Sequence, residues 1–191
     1  MQHLEIIAQI MGIFGMIFIS SSYLFKKQRT LIVVQLFGAG FFTLNFLLLG
    51  IAEGVFLIGA LMNFLGGLRA IVFSNKEKFR ADKRIWLIGF TAAYFVSYVL
   101  VFLVFGTKPT AKNLLTELLP AIAMTSSTVA FFKPDASTTR KLGFITSPCW
   151  LVYDIINFSL GGIITEVLSL TTIIIGIIKH DLKNNKNERQ P

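Results

Sequence analysis

The chain has 191 residues, of which 54% are hydrophobic and 15% are charged, with a mean hydropathy of +0.70 and a net charge of +8. Soluble domains carry about 25% charged residues, so this composition excludes a globular domain with a water-facing surface. The single cysteine, Cys149, excludes an internal disulfide and any multi-cysteine metal site. Long apolar runs instead predict an all-α, polytopic membrane protein.

Seven apolar segments, each long enough to cross a bilayer as a helix, follow one another along the chain. They cover about residues 4–25, 30–49, 55–73, 85–105, 114–132, 140–160 and 163–179. The first has neither the basic start nor the cleavage site of a signal peptide, so we expect it to be retained. Gly12, Gly15 and Ser22 form a small-residue face on it, which is typical of close helix packing. Turns are predicted at 50–54 and at 161–162.

The basic residues are distributed very unevenly between the two sides of these segments. Sixteen of the 18 Lys and Arg residues fall on one side: three after the first helix, six around the linker, three after the fifth helix and four in the tail. Only Lys108 and Lys112 fall on the other side. The positive-inside rule then places the N-terminus outside and the C-terminus in the cytoplasm. The same distribution predicts contact with the lipid bilayer and argues against nucleic-acid binding.

One basic side chain, Arg69, falls near the end of the third helix. We expect it to reach the lipid headgroups with its long side chain.

The second and sixth helices resemble each other when one is shifted by about 112 positions. The shift lays Gln35 on Ser147, Gly38 on Trp150, Phe42 on Asp154, Asn45 on Asn157 and Gly50 on Gly162. This predicts a parallel repeat in 3+1+3 order, because the fourth helix restores the original direction. The predicted units are a first three-helix bundle (1–73), a cytoplasmic basic linker (74–84), a linker helix with an outer loop (85–113), a second bundle (114–180) and a disordered cytoplasmic tail (181–191).

Four polar or aromatic residues share one face of the sixth helix, at spacings i, i+3, i+7 and i+10. They are Ser147, Trp150, Asp154 and Asn157. An ionised Asp at the bilayer centre costs roughly 2.5–3.5 kcal/mol. Asp154 is therefore either a carboxylate that lines a solute or proton cavity, or an outer-leaflet residue bonded to a neighbouring helix. Trp150 either stacks on a solute or serves packing.

The predicted substrate-binding set consists of Trp150, Asp154 and Asn157 from this face, together with Asn63 and Thr172. Asn63, at midplane depth in the third helix, either contacts a solute or hydrogen-bonds between helices. Thr172 shares a face of the seventh helix with Glu166 and Ser169. Because Glu166 is close to the outer end, an interfacial or capping role for it is as open as contact with a solute.

Signatures of an enzyme are absent from the sequence. The two histidines, His3 and His180, lie at opposite ends of the chain and on opposite predicted sides of the membrane. Cys149 has no histidine partner in its helix. We therefore expect no catalytic site, no cofactor and no bound metal.

Nearly the whole chain resembles the YgjV-type family of bacterial inner-membrane proteins. The resemblance is carried by Leu49-Gly50, LMNFLGGLR at 61–69, Leu118-Leu119-Pro120, SPCWLVY at 147–153 and Thr165-Glu166. It implies a multi-pass protein of the bacterial inner membrane and names no substrate.

A more distant resemblance is to the PQ-loop and SWEET superfamily of transporters with 3+1+3 helices. In that superfamily, prolines in the first two helices of each bundle act as hinges, and an asparagine in each third helix faces the solute. Pro120 and Pro148 match the hinges of the second bundle, and Asn63 matches the asparagine of the first. The first helix has no proline, and no Pro-Gln pair occurs.

The sequence thus favours a SWEET-like transporter or facilitator of a small polar solute, working by alternating access. The alternative is a non-transporting membrane receptor or assembly factor with the same fold. Solute, coupling ion and the choice between monomer and homodimer stay open.

Overall fold

Apolar runs of this length become helices because a bilayer offers the backbone no other hydrogen-bond partners. The computed structural model describes residues 2–53, 58–104, 108–156 and 160–182, and this part of the chain contains helices and no strand. The helices are α1 (Gln2–Ser22), α2 (Gln28–Glu53), α3 (Ile58–Ser74), α4 (Lys76–Phe79), α5 (Arg84–Leu103), α6 (Ala111–Phe132), α7 (Ala136–Ile156) and α8 (Leu160–Gly176). A π-helical segment, Ile177–Leu182, continues α8.

Five of the described helices are long and apolar enough to cross a membrane. They lie at His3–Ser22, Gln28–Ile51, Arg84–Leu103, Ala111–Phe132 and Gly161–Leu182. α3 is apolar but has 17 residues, and α7 is more polar than these five. The all-helical, multi-pass architecture is therefore confirmed, whereas the number of seven spans stays a prediction.

Glycines predicted as turns lie inside helices instead. α2 continues through Gly50 to Glu53, and α8 already begins at Leu160, so that Gly161 and Gly162 belong to its first turn. Glycine is tolerated in membrane helices because the helix still satisfies every backbone group where water is absent. The predicted turn at 161–162 is therefore wrong in position, and so is the predicted turn at 50–54 as far as residue 53; Gly54 lies outside the described residues.

The helices pack in two groups that follow chain order. In the first group α2 packs between α1 and α3, and in the second group α7 packs between α6 and α8. α5 contacts α3 and α6, α1 lies against α8, and α2 touches α7. The main hydrophobic core lies where α3, α5 and α6 meet, around Phe73, Tyr94 and Phe131.

Polar contacts hold the basic segments together at one end of the helices. Arg29 donates from Nε to the backbone oxygen of Ser74 (3.1 Å), and Lys76 donates to the oxygens of Phe132 and Lys133 (both 3.0 Å). The chain segments after α1, α3 and α6 therefore meet at this end, which we call the basic end. The side of the membrane that it faces stays a prediction.

Candidate functional site

A row of hydroxyl groups near the end of α1 faces α8. The Ser20 hydroxyl lies 3.4 Å from the backbone oxygen of Thr165 and 3.3 Å from the Ser169 hydroxyl. The Thr172 hydroxyl in turn donates to the backbone oxygen of Ser20 over 2.6 Å. These contacts join residues about 150 positions apart, and they tie the first helix of the first group to the last helix of the second.

Gln35 of α2 extends this polar region. Its amide nitrogen donates to the Ser22 hydroxyl over 2.9 Å, and its side chain also hydrogen-bonds the Tyr23 hydroxyl. All three side chains are buried. A buried amide and phenol need partners of this kind, because an unpaired polar group in an apolar interior is costly.

Glu166 of α8 is the ionisable member of this region. Only 9% of the residue is exposed, and its carboxyl group hydrogen-bonds the hydroxyl of Ser147, which is 1% exposed. Tyr23 lies within electrostatic reach of Glu166. Glu166 is therefore buried by helix packing, although it is close to the start of α8; its depth in the membrane stays a prediction.

Together these side chains form what we call the interior polar cluster. It consists of Ser20 and Ser22 from the end of α1, the following Tyr23, Gln35 from α2, Ser147 from α7, and Glu166, Ser169 and Thr172 from α8, with the backbone oxygen of Thr165 as a further acceptor. It lies where the two helix groups meet.

Arg69 is a second buried charge, and it does not reach the headgroups as predicted. The residue is 6% exposed, its Nη1 donates to the backbone oxygen of Met124 (3.0 Å), and its guanidinium lies 4.5 Å from the centre of the Phe131 ring. Its Nε is buried without a hydrogen-bond partner. Contact with α6 holds the side chain inside. Within the described residues, neither Arg69 nor Glu166 has an ion-pair partner.

Asn63 lies away from the interior polar cluster. Its amide nitrogen donates to the backbone oxygen of Gly59 in its own helix (2.9 Å). It lines an apolar cleft of about 450 Å3 whose walls all belong to α2 and α3, among them the exposed rings of Phe37 and Phe64. This cleft includes none of the other predicted solute residues.

The remaining predicted site residues occupy different surroundings. Trp150 packs on the hydrophobic core and meets the Tyr153 ring edge-on at 5.8 Å. The Asp154 carboxylate lies against Gly162 at the start of α8 and within electrostatic reach of Glu166. Thr172 joins the interior polar cluster. Asn157 lies outside the described residues.

The two predicted hinge prolines lie inside continuous helices. Pro120 is buried in α6 and Pro148 is half-buried in α7. Hinge motion at either proline stays a prediction.

Sequence reasoning missed the contribution of α1 to the cluster. Ser20, Ser21, Ser22 and Tyr23 form a polar run at the end of an apolar helix, and this run was the available signal. The small-residue face of the same helix does pack closely: a Cβ at Gly12 would lie 3.1 Å from the Asn45 amide of α2, and one at Gly15 would lie 2.8 Å from the Phe42 ring.

These features define a multi-pass helical membrane protein with polar and ionisable side chains buried between its helices. A family model described as "Imp-YgjV: Bacterial inner membrane protein" matches residues 6–184. The chain therefore belongs to this family of bacterial inner membrane proteins. No curated protein and no solved structure gives a significant match. Among the described residues, no group of three His, Cys, Asp or Glu side chains is placed to hold a metal ion.

Proposed function

We propose that this protein is a SWEET-like transporter or facilitator of a small polar solute, which works by alternating access between α1–α3 and α6–α8. The observation that carries the proposal is the interior polar cluster at the junction of the two groups. In membrane proteins, ionisable side chains between helices are rare and mark solute or ion pathways. A junction between two helical units is also where transporters of this kind hold their solute.

Energetics favour a functional role for the cluster over simple packing. A hydrogen bond between membrane helices contributes on average about 0.6 kcal/mol, whereas a charged side chain at helix centre costs roughly 2.5–3.5 kcal/mol on insertion scales. Arg69 and Glu166 lack ion-pair partners among the described residues. Apolar side chains at these positions would stabilise the fold better, so the two buried ionisable groups point to a task other than stability.

The arrangement of helices supports a parallel repeat. α1 packs against α8, α6 packs against α3, and α2 touches α7. This pattern is unchanged when α1, α2 and α3 are exchanged with α6, α7 and α8. α5 then takes the role of the single helix between two bundles, as the 3+1+3 order of the PQ-loop and SWEET superfamily requires. By the positive-inside rule, the basic end faces the cytoplasm.

Flux in proteoliposomes tests the proposal. The purified protein should exchange at least one solute from a panel of labelled sugars, amino acids and small organic acids. Thr172→Ala should slow the exchange by about threefold or more, because it removes a hydrogen bond between α8 and α1 worth about 0.6 kcal/mol. Thr171→Ala is the matched control, since the exposed Thr171 hydroxyl bonds only its own helix, at Val167.

Asp154→Ala and Asn63→Ala, compared in the same assay, examine the predicted solute contacts. Loss of flux in a folded variant assigns that residue to the site, and a normal rate in both removes them from it. Absence of exchange for every solute, together with a stoichiometric partner on purification, would instead favour the receptor or assembly factor.

A further inference from the structure

We propose that Glu166 is a proton-binding site, and that its protonation couples solute movement to the proton gradient. The coupling rests on the proposed function above, whereas proton binding by Glu166 does not require it. The ligand is a single proton: one carboxylate oxygen forms an O–H bond while an O–H bond of a hydronium ion breaks and leaves a water molecule.

The hydrogen-bond inventory of Glu166 matches a neutral acid better than an anion. An ionised carboxylate has about four acceptor positions and is stable in an apolar interior only with several donors or a cation. Glu166 is nine-tenths buried and has the Ser147 hydroxyl as its hydrogen-bond partner. A hydroxyl can donate to the carboxylate or accept from the acid, so this contact suits both protonation states.

Among the described residues, no cation on the surrounding helices forms an ion pair with Glu166. The segment at the end of α1 presents the neutral Tyr23 phenol. α7 presents Ser147 and the acidic Asp154, whose negative charge disfavours a negative charge on Glu166. α2 presents the uncharged Gln35, and the Ser20 hydroxyl is bonded to Ser169 and Thr165 instead.

Arg69 of α3 lies within electrostatic reach of Tyr23. Among the described residues it forms no ion pair with Glu166, and its Nη1 is bonded to the backbone of α6. The acid form of Glu166 therefore needs no counter-ion, whereas the anion would need one.

The position of Glu166 suits coupling. It belongs to α8 at the junction with α1, so a relative movement of the two helix groups would change its access to water. A carboxyl group at such a junction can take up a proton while open to one side and release it while open to the other.

Infrared difference spectroscopy on the protein in lipid nanodiscs tests proton binding without any solute. The wild type should show the carbonyl band of a protonated carboxyl group at neutral pH. Glu166→Gln should lose intensity in this band, while Glu5→Gln, at an exposed position near the N-terminus, should leave it unchanged. Ser147→Ala should shift the band to higher frequency, because it removes the hydrogen bond to the acid. A spectrum of folded Glu166→Gln identical to that of the wild type would overturn the proposal.

Uptake under an imposed pH gradient tests the coupling separately. Wild-type uptake should follow the gradient. The solute exchange that Glu166→Gln retains, measured without a gradient as its own baseline, should not respond to pH. Uptake by Glu166→Gln that still follows the gradient would contradict the coupling. If the wild type moves no solute, the transporter function and the coupling fail, and the infrared result alone decides proton binding.

Discussion

Arg140 joins three chain segments at the basic end. The residue is 2% exposed; its Nε and Nη2 donate to both carboxylate oxygens of Asp181, and its Nη1 donates to the backbone oxygen of Phe25 over 3.0 Å. The paired guanidinium thus links the start of α7 to the end of the α8 region and to the segment after α1. His180 adds a contact of 2.9 Å to the backbone oxygen of Leu24.

Breaking this pair from one side should destabilise the protein strongly. Asp181→Asn leaves a buried guanidinium without its counter-ion, which costs roughly 3–5 kcal/mol, whereas replacing both partners by apolar residues is often neutral. Thermal unfolding in detergent should therefore show a large loss for Asp181→Asn and a much smaller one for the double variant Arg140→Met/Asp181→Leu. Asp82→Asn, at an exposed position of the same end, is the control. Equal losses in the single and double variants would contradict the pairing.

Asp135 caps the N-terminus of α7. Its carboxylate accepts from the Thr138 backbone N–H (2.6 Å) and from the Thr138 hydroxyl (2.8 Å). Partial desolvation acts to raise the pKa of Asp135, but these hydrogen bonds outweigh it, so that the pKa lies below its ordinary value.

Since the pKa of Asp135 is lower in the folded protein, its contribution is complete above the unfolded pKa of about 4. It is lost as the pH falls through the folded value. Asp135→Ala should cost about 1 kcal/mol at neutral pH, as for other N-caps. Melting curves of wild type and variant should converge as the pH is lowered below about 4. A difference that stays constant as the pH falls well below about 4 would show that the carboxylate does not act as the cap.

Close approach of α8 to the end of α1 depends on one glycine. A Cβ at Gly176 would collide with the backbone oxygen of Tyr23, whereas a Cβ at Gly161, at the other end of α8, would meet nothing within 4 Å. Because the atom that this Cβ would meet is a backbone oxygen, it cannot rotate away as a side chain could. The two glycines therefore offer a matched pair on a single helix.

Gly176→Ala should destabilise the protein by about 1–3 kcal/mol, as overpacked sites do. Gly161→Ala should be neutral or slightly stabilising, because alanine favours the helix by up to about 1 kcal/mol. Thermal unfolding of the two variants in the same detergent measures the difference. A similar melting temperature for both would mean that α1 and α8 are not in this contact.

At the level of elements, apolar length alone located the helices, because the bilayer forces the backbone to be helical wherever the side chains are apolar. Their ends were harder to predict. Gly50 and Gly161 carry a turn signal in water, but α2 and α8 run through them. α6 begins at Ala111, earlier than the apolar run suggests, because the Thr110 hydroxyl accepts from the Asn113 N–H and caps it.

At the level of the whole molecule, the predicted orientation can be checked with single cysteines, because Cys149 is the sole native one. In a Cys149→Ser background, Lys108→Cys should react with a membrane-impermeant thiol reagent added outside spheroplasts. Lys78→Cys should react only after permeabilisation, since the positive-inside rule predicts that the basic end faces the cytoplasm. Both positions are exposed, which makes them a matched pair. The opposite labelling pattern would reverse the topology.

The candidate site was partly predictable from the sequence. Helical spacing placed Ser147 on a polar face of one helix and Thr172 and Glu166 on a polar face of another, and the structure brings these three residues into one cluster. The helix that Ser20 and Tyr23 contact could not be derived, because local periodicity does not show that α1 packs against α8. Arg69 was likewise predicted to be interfacial, because the sequence does not show that α6 covers it.

The central claim is that the two helix groups move apart alternately around the interior polar cluster. Ser20 of α1 is 6% exposed, and its hydroxyl lies 3.3 Å from that of Ser169 in α8, so we expect a reagent to reach it when the groups separate. The most direct measurement is labelling of Ser20→Cys, in the Cys149→Ser background, by an impermeant thiol reagent in right-side-out and in inside-out vesicles. Alternating access predicts labelling from both sides, with none at Ala130→Cys, a control position in the hydrophobic core. Labelling of Ser20→Cys from neither side, or from one side only, would contradict it.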